Sequence, residues 1–282
     1  MLLNALFPTR DIGTDPAKIR DWAQAAEGLG YHCIEVADHV FGAAPRGDWK
    51  PTYSEHDPFH ETFTTMAFIA AVTRKVQLCS GVLILPQRQA GLVAKQAAQV
   101  DVLSGGRVRL GVGVGWNHVE YEALGTEWKT RGARQAEQIE VMRRLWTEPV
   151  VDFAGKWVKF ETMRLDPKPI QKPHVPIIVG GYAAAALRRA VRFGAGWYGF
   201  NRDPAATKAM LDQLDGAFAK AGQTRGKGFE IIITPPATMP LDAMQEYAEI
   251  GVHRLVINLG SQRADRVDRR MAEIEALVKR AG

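Results

Sequence analysis

Along nearly the whole chain, short apolar runs of strand length alternate with amphipathic stretches of helix length, and this alternation restricts the fold more than any other feature. Strands are expected at residues 2–7, 33–37, 76–85, 108–114, 177–179, 197–200, 229–234 and 254–258. Helices are expected at 15–29, 57–72, 92–103, 131–146, 183–192, 204–221, 241–250 and 263–279. Local chemistry marks several boundaries. Asp15-Pro16 reads as an N-cap followed by proline at the first helical position, and Gly30 ends that helix. Asp57-Pro58 repeats the start signal, and Ser104-Gly105-Gly106 reads as a stop. Regularity lapses over 150–173, where Asp152-Phe153-Ala154-Gly155-Lys156-Trp157 and a proline cluster suggest a hairpin or loop insertion.

Near-continuous apolar strands imply a parallel sheet covered on both faces. Eight strand-helix units therefore predict an α/β fold, a (β/α)8 TIM barrel over residues 1–282. Its insertions follow strand 2 and separate helix 4 from strand 5. A doubly wound open sheet is the competing architecture, but its dinucleotide fingerprint would follow the first strand, where Phe7-Pro8-Thr9-Arg10 stands instead. The barrel places catalytic residues just after strands.

The 282 residues suit one such barrel, which typically uses about 250. The net charge of +5 is spread without a basic run, which gives no support to a nucleic-acid site. Cys33 and Cys79 are the only cysteines, both in apolar segments, and read as reduced core residues. No apolar stretch approaches the roughly 20 residues of a membrane span, and the first residues lack the layout of a secretion signal. The expected location is the cytoplasm.

Asp38-His39 follows the second strand directly. Histidine can donate to or accept from a reacting group near neutrality, and an adjacent carboxylate can hold its ring or anchor a loop. A turn cap and an ordinary loop hydrogen bond are the plainer alternative. Ser80-Gly81-Val82 puts glycine inside a strand, which marks a bulge or a close approach, either for barrel curvature or for a flat ring stacked on it. Gly111, Gly113 and Gly115 remove one row of side chains ahead of Trp116 and Asn117. That row either clears the barrel top, exposes amides to an anion, or packs small residues in a barrel layer. Gly180-Gly181-Tyr182 opens a helix and reads as a phosphate site. Arg88 and Arg131 are candidate anion contacts. His56 and His60 are four apart, but Pro58 puts His56 outside the helix and the pair off a common face, so no metal site is expected.

Taken in order, Ala37-Asp38-His39, Ser80-Gly81-Val82, Leu85-Pro86-Gln87-Arg88, Ala94-Lys95-Gln96-Ala97-Ala98, Leu103-Ser104-Gly105-Gly106-Arg107, Gly111-Val112-Gly113-Val114-Gly115-Trp116 and Arg131-Gly132-Ala133-Arg134 resemble the luciferase-like monooxygenase superfamily, nearest its coenzyme F420 (deazaflavin) dependent branch. The likeness is dense from residue 37 to 146 and returns at 175–182. It implies the same barrel, often a homodimer, acting on a small-molecule substrate with coenzyme F420 or alternatively FMN, sometimes served by a separate reductase. It further implies a non-proline cis peptide at Ser80-Gly81 or, better by spacing to Gln96, at Gly81-Val82, supporting the central ring of the cofactor. Asp38 and His39 are then the pair that meets cofactor or substrate, with His39 catalytic. Ser80, Gly81 and Val82 support the ring, and Val114, Gly115, Trp116, Asn117, Gly180, Gly181 and Tyr182 hold its tail and phosphate. Trp116 stands where related sugar-phosphate dehydrogenases carry an acid, which argues against glucose 6-phosphate. A non-catalytic flavin or deazaflavin binder and a metal-dependent barrel hydrolase are the rival readings.

Overall fold

A computed structural model describes residues 1–240 and 243–258. In chain order it holds β1 (Leu2–Leu6), α1 (Pro16–Gly28), β2 (Cys33–Val36), α2 (Thr62–Val72), β3 (Gln77–Ser80), β4 (Leu83–Ile84), a single 3₁₀ turn (Leu85–Gln87), α3 (Ala90–Ser104), β5 (Val108–Gly113), α4 (His118–Ala123), α5 (Arg131–Thr147), β6 (Val151–Ala154), β7 (Lys159–Met163), β8 (Ile177–Gly180), α6 (Ala184–Phe193), β9 (Gly196–Phe200), α7 (Pro204–Lys220), β10 (Glu230–Thr234), α8 (Met244–Glu249) and β11 (Arg254–Asn258).

Eight strands pair in parallel around a closed ring in the order β1-β2-β3-β5-β8-β9-β10-β11 and back to β1. This is the expected (β/α)8 barrel. Alternate residues of each strand face outward, and Ile34, Leu78, Leu110, Val179, Trp197, Ile233 and Leu255 pack there in the main core. A second cluster of Ile178, Tyr198, Ile232 and Val256 fills the inside, with Leu6 and Val82 against it. Lower in the barrel, Arg109 and Arg254 both pair with Glu230, so the inward row ends in charge.

Helix starts follow the chain's capping residues. Asp15 accepts from the Ala17 amide at 2.9 Å and Asp203 from Ala206 at 2.7 Å, each with proline next in line. The expected start of α2 at Asp57 needs correction. The Asp57 carboxylate is bound by the amide and hydroxyl of Ser54 and by Arg10, and the cap comes instead from Glu61, which accepts from the Thr64 amide at 2.7 Å. The expected third strand is two short strands separated at Gly81 and Val82, and it gives way to the 3₁₀ turn at Leu85. Over 150–173 the insertion is an antiparallel hairpin, β6 with β7, whose tip is held by Glu137: its carboxylate accepts from the amides of Lys156, Trp157 and Val158 at 2.7–2.8 Å. The helix expected at 263–279 lies outside the described residues.

Arg107 explains one motif of the sequence. Its guanidinium donates to the carbonyls of Ala70, Thr73, Val76 and Ser104, joining the ends of α2 and α3 to the start of β3. Ser104-Gly105-Gly106-Arg107 is thus a fastening of the scaffold, with Gly105 at φ +69° and Gly106 at φ +85° turning the chain into β5.

Candidate active site

The turn between β3 and β4 is the centre of the barrel's catalytic end. The Gly81-Val82 peptide is cis, at the bond that the spacing to Gln96 favours. Ser80 Oγ donates to the Gly111 carbonyl at 2.7 Å, and the Gly81 amide donates to the Val36 carbonyl at 2.8 Å. The glycines of β5 and β8 are there to admit this turn. A Cβ on Gly111 would overlap the Ser80 carbonyl oxygen; one on Gly113 would sit 2.6 Å, and one on Gly180 3.2 Å, from a Val82 methyl. Of the three readings of the glycine row, close packing in a barrel layer is what the structure holds. The space cleared by Gly111 and Gly113 is filled by the turn.

Asp38, 4 % exposed, ties β2 to that turn. Its Oδ2 accepts from the Ile84 amide at 2.7 Å, and its Oδ1 accepts from Thr62 Oγ1 at 2.9 Å and Arg88 Nη2 at 2.6 Å. Expected as a cofactor contact, Asp38 has both oxygens engaged by protein groups. Arg88, expected as an anion contact, is its partner.

His39 is the next residue and is 9 % exposed. Its Nδ1 lies 3.0 Å from Glu120 Oε2, while Glu120 Oε1 accepts from the amides of Val40 at 2.5 Å and Phe41 at 3.2 Å. Burial opposes ionisation of Glu120, but the His39 ring and the two amides outweigh it and hold the carboxyl below the usual carboxylate range. An ionised carboxylate only accepts, so Nδ1 carries the hydrogen and Nε2, with no hydrogen bond to the described residues, is the atom left for chemistry. Phe59, Tyr53 and Trp116 surround the imidazole, with ring centroids 4.9, 5.4 and 5.5 Å away, and Trp49 lies against Trp116.

Sequence reasoning missed Glu120, Tyr53 and Phe59. Glu120 had a readable signal. Asn117 caps α4 by accepting from the Val119 and Glu120 amides at 3.1 and 3.2 Å, and Asn-x-x-Glu is a helix-start pattern. In this helix the glutamate turns to His39 instead of closing the capping box. The Asn117 side chain, expected at the cofactor, is committed to that cap. Val114 gives its carbonyl to the Tyr121 hydroxyl at 2.7 Å, and Gly115, at φ +66°, turns the chain against Ile84.

At the far rim, Gly180 and Gly181 lead into α6, whose N-cap is Ala183. No side chain caps this end, and with the Ala186 amide donating to the Ala183 carbonyl at 2.7 Å, those of Ala184 and Ala185 are open to an anion. Two guanidinium groups have no carboxylate partner among the described residues, though Arg131 donates to the Trp128 carbonyl at 2.9 Å and lies 3.5 Å over the Trp128 ring. Arg189 Nη1 would lie 3.3 Å from a Cβ on Gly132, beside Arg131, and Nε of both arginines is buried without a partner. Burial, then the neighbouring Arg188 and Arg131, lowers the affinity of Arg189 for its proton. The Tyr182 hydroxyl bonds to the backbone of Phe200, and Arg202 lies 4.0 Å over the Tyr182 ring. Of the two histidines weighed for a metal, His60 Nε2 meets the Gly13 carbonyl at 3.0 Å and His56 Nε2 lies 3.5 Å from Glu55 Oε1. No group of three metal-ligating side chains occurs among the described residues, and no helix among them is long and apolar enough to cross a membrane.

Comparison with known proteins yields one family. The model of the luciferase-like monooxygenases matches residues 1–280. An uncharacterised protein of Mycobacterium tuberculosis (strain ATCC 25618 / H37Rv) is 33 % identical over 242 residues, 83 % of this chain and 82 % of that protein. An FMNH2-dependent dimethylsulfone monooxygenase of Pseudomonas putida is 34 % identical over 168 residues, 58 % of this chain and 45 % of its own length. Among solved structures, an F420-dependent secondary alcohol dehydrogenase in complex with an F420-acetone adduct superposes with TM-score 0.77 at 17 % identity, covering 96 % of this chain and 97 % of the other. At that identity the likeness is one of fold.

Proposed function

The chain belongs to the luciferase-like monooxygenase family, and on that footing we propose that it is an oxidoreductase that seats the ring of coenzyme F420, or alternatively of FMN, on the Ser80-Gly81-Val82 turn, with a small organic substrate between ring and His39. The reading is carried by one observation: a histidine whose Nδ1 is fixed by a buried carboxylate stands at the barrel rim beside a turn for which two neighbouring strands clear space. A bound deazaflavin supplies hydride transfer, whereas reduced FMN also activates oxygen.

The residues present fit such a group. The Gly81-Val82 backbone offers a flat ledge, Asp38 holds the turn rigid through Ile84, and Trp116 walls the side. Gly180, Gly181 and Tyr182 lead to the uncapped start of α6, where the open amides and the cations of Arg131 and Arg189 suit a phosphate and an acidic tail. His39 Nε2 takes or gives the proton on the substrate oxygen or nitrogen, with Glu120 stabilising the imidazolium. The aromatic wall of Tyr53, Phe59 and Trp116 excludes water and favours an uncharged substrate. We further propose one barrel unit working in the cytoplasm as a homodimer, with Phe68 of α2 and Leu92 of α3 buried between copies, and a separate reductase where the ring must arrive reduced.

Titration of the purified protein with each cofactor, in both redox states, tests the reading. Binding of FMN alone sinks the F420 assignment, and binding of neither sinks both. His39→Ala should keep binding and lose turnover; binding without turnover in the unaltered protein would instead favour a carrier.

A further inference from the structure

Below the turn, the barrel interior holds polar groups with no part in the chemistry above. Glu35 of β2 is fully buried. Its Oε1 accepts from Asn4 Nδ2 at 2.7 Å, whereas Oε2 has no nitrogen or oxygen partner. Oε2 is aimed at Gly81: a Cβ there would lie 3.0 Å from it and 3.2 Å from the Tyr198 hydroxyl, which shares a hydrogen with Thr234 Oγ1 at 2.7 Å. The strands around it contribute the following inward groups. β1 brings Asn4, β2 Cys33, β3 Cys79, β9 Tyr198 and β10 Thr234, while β8 brings only Ile178 to the inner cluster. The cations, Arg109 of β5 and Arg254 of β11, are both drawn to Glu230 of β10.

A carboxylate buried with one oxygen that meets no nitrogen or oxygen donor costs several kcal/mol, and a proton on that oxygen removes the cost. Burial pushes the Glu35 carboxyl up, and the Cys79 thiol, the Asn4 amide and the two arginines only partly oppose it. Burial and the nearness of Glu35 likewise push the Tyr198 phenol well up, so no second anion competes.

We infer that Glu35 is a positioning residue for the ring: a neutral acid on the inner side of Gly81 that leaves the underside of the turn uncharged and so admits an anionic, reduced ring on the outer side. The inference rests on the cofactor reading above. It also gives Gly81 its reason to lack a side chain, since a Cβ would press on Glu35 and Tyr198.

Two measurements test it. Infrared spectra of the cofactor-free protein at neutral pH should show a carboxylic-acid carbonyl band that is missing in Glu35→Gln. Affinities for oxidised and reduced FMN or F420 should then be followed against pH. In the unaltered protein, binding of the reduced form should weaken by up to about tenfold per pH unit once Glu35 ionises, while the oxidised form changes little. Glu35→Gln should hold the neutral-pH affinity across the range. Absence of the acid band, or parallel pH profiles in the two proteins, overturns the inference. Should Glu35→Gln fail to fold, the split between redox states in the unaltered protein decides alone. An acid band in a protein that binds neither ring overturns the cofactor reading and the positioning role together, yet leaves the neutral acid standing.

Discussion

Asp38 Oδ2 accepts the Ile84 amide at 2.7 Å, so a residue just beyond β2 fixes the first residues beyond the Gly81-Val82 turn. The same carboxylate takes Thr62 and Arg88, and three segments of chain therefore meet on one side chain. Hydrogen bonds to a buried charged group contribute about 1.5–3 kcal/mol each, though they do not sum. Asp38→Ala should lower stability by about 3 kcal/mol in denaturant titration and weaken ring binding with it. Asp38→Asn should fall between. An alanine variant of unchanged stability would remove Asp38 from this role.

The Glu120-His39 pair predicts an acid limb. The folded carboxyl titrates below its unfolded value, so its contribution is present above about pH 4.3, the ordinary glutamate value, and is lost as pH falls through the folded value. Unfolding midpoints of the native protein should drop on acidification more steeply than those of Glu120→Gln. The variant should also lose kcat more than KM, because Nδ1 would no longer be fixed by a charge. Identical acid limbs would show that the carboxylate is already protonated.

Glycine 113 offers a test of packing free of any cofactor. A Cβ there meets a Val82 methyl at 2.6 Å, and overfilling of this kind typically costs about 1–3 kcal/mol. Gly113→Ala should destabilise by that amount, and by clearly less in a Val82→Ala background. An additive double mutant would mean that the two residues do not compete for the same space.

At the outer rim, removal of Arg131 or Arg189 should weaken cofactor binding. A charge-assisted hydrogen bond of about 1.5–3 kcal/mol corresponds to roughly tenfold to a hundredfold in affinity. Arg131→Ala and Arg189→Ala should each show it for FMN or F420 and barely for riboflavin, which lacks the phosphate. Equal losses for both would move the arginines away from the anion.

For the homodimer, Phe68 is 37 % and Leu92 54 % exposed in the single chain. Glutamate at both positions should yield a monomer by light scattering. A native protein that is already monomeric ends that proposal.

Much of the scaffold was legible in the chain, since strand and helix differ in hydrophobic period and the capping residues mark several helix starts. Strand β11 is found at the expected 254–258. What was not legible depends on contacts remote in sequence. Asp57 looks like a cap until Ser54 and Arg10 are seen to hold it. The glycines of β5 look like cleared space until the turn of another strand fills them. Asp38 and His39 were correctly placed at a strand end, but which of them is braced and which is poised is decided by Ile84 and Glu120, 46 and 81 residues away. Glu35 reads as one polar residue in an apolar strand, and only barrel closure aims it at Gly81.

The keyed fit of Val82 and the Ser80 carbonyl into Gly111, Gly113 and Gly180 has a consequence for how such proteins diversify. Three strands hold complementary halves of one joint, so a change in any of them is harmful until its counterpart changes too. The loop bearing Tyr53 and Phe59 carries no such obligation. New substrates are therefore within reach of loop replacement alone, while the floor is inherited as a block; grafting that loop from a relative should alter selectivity and leave the turn intact.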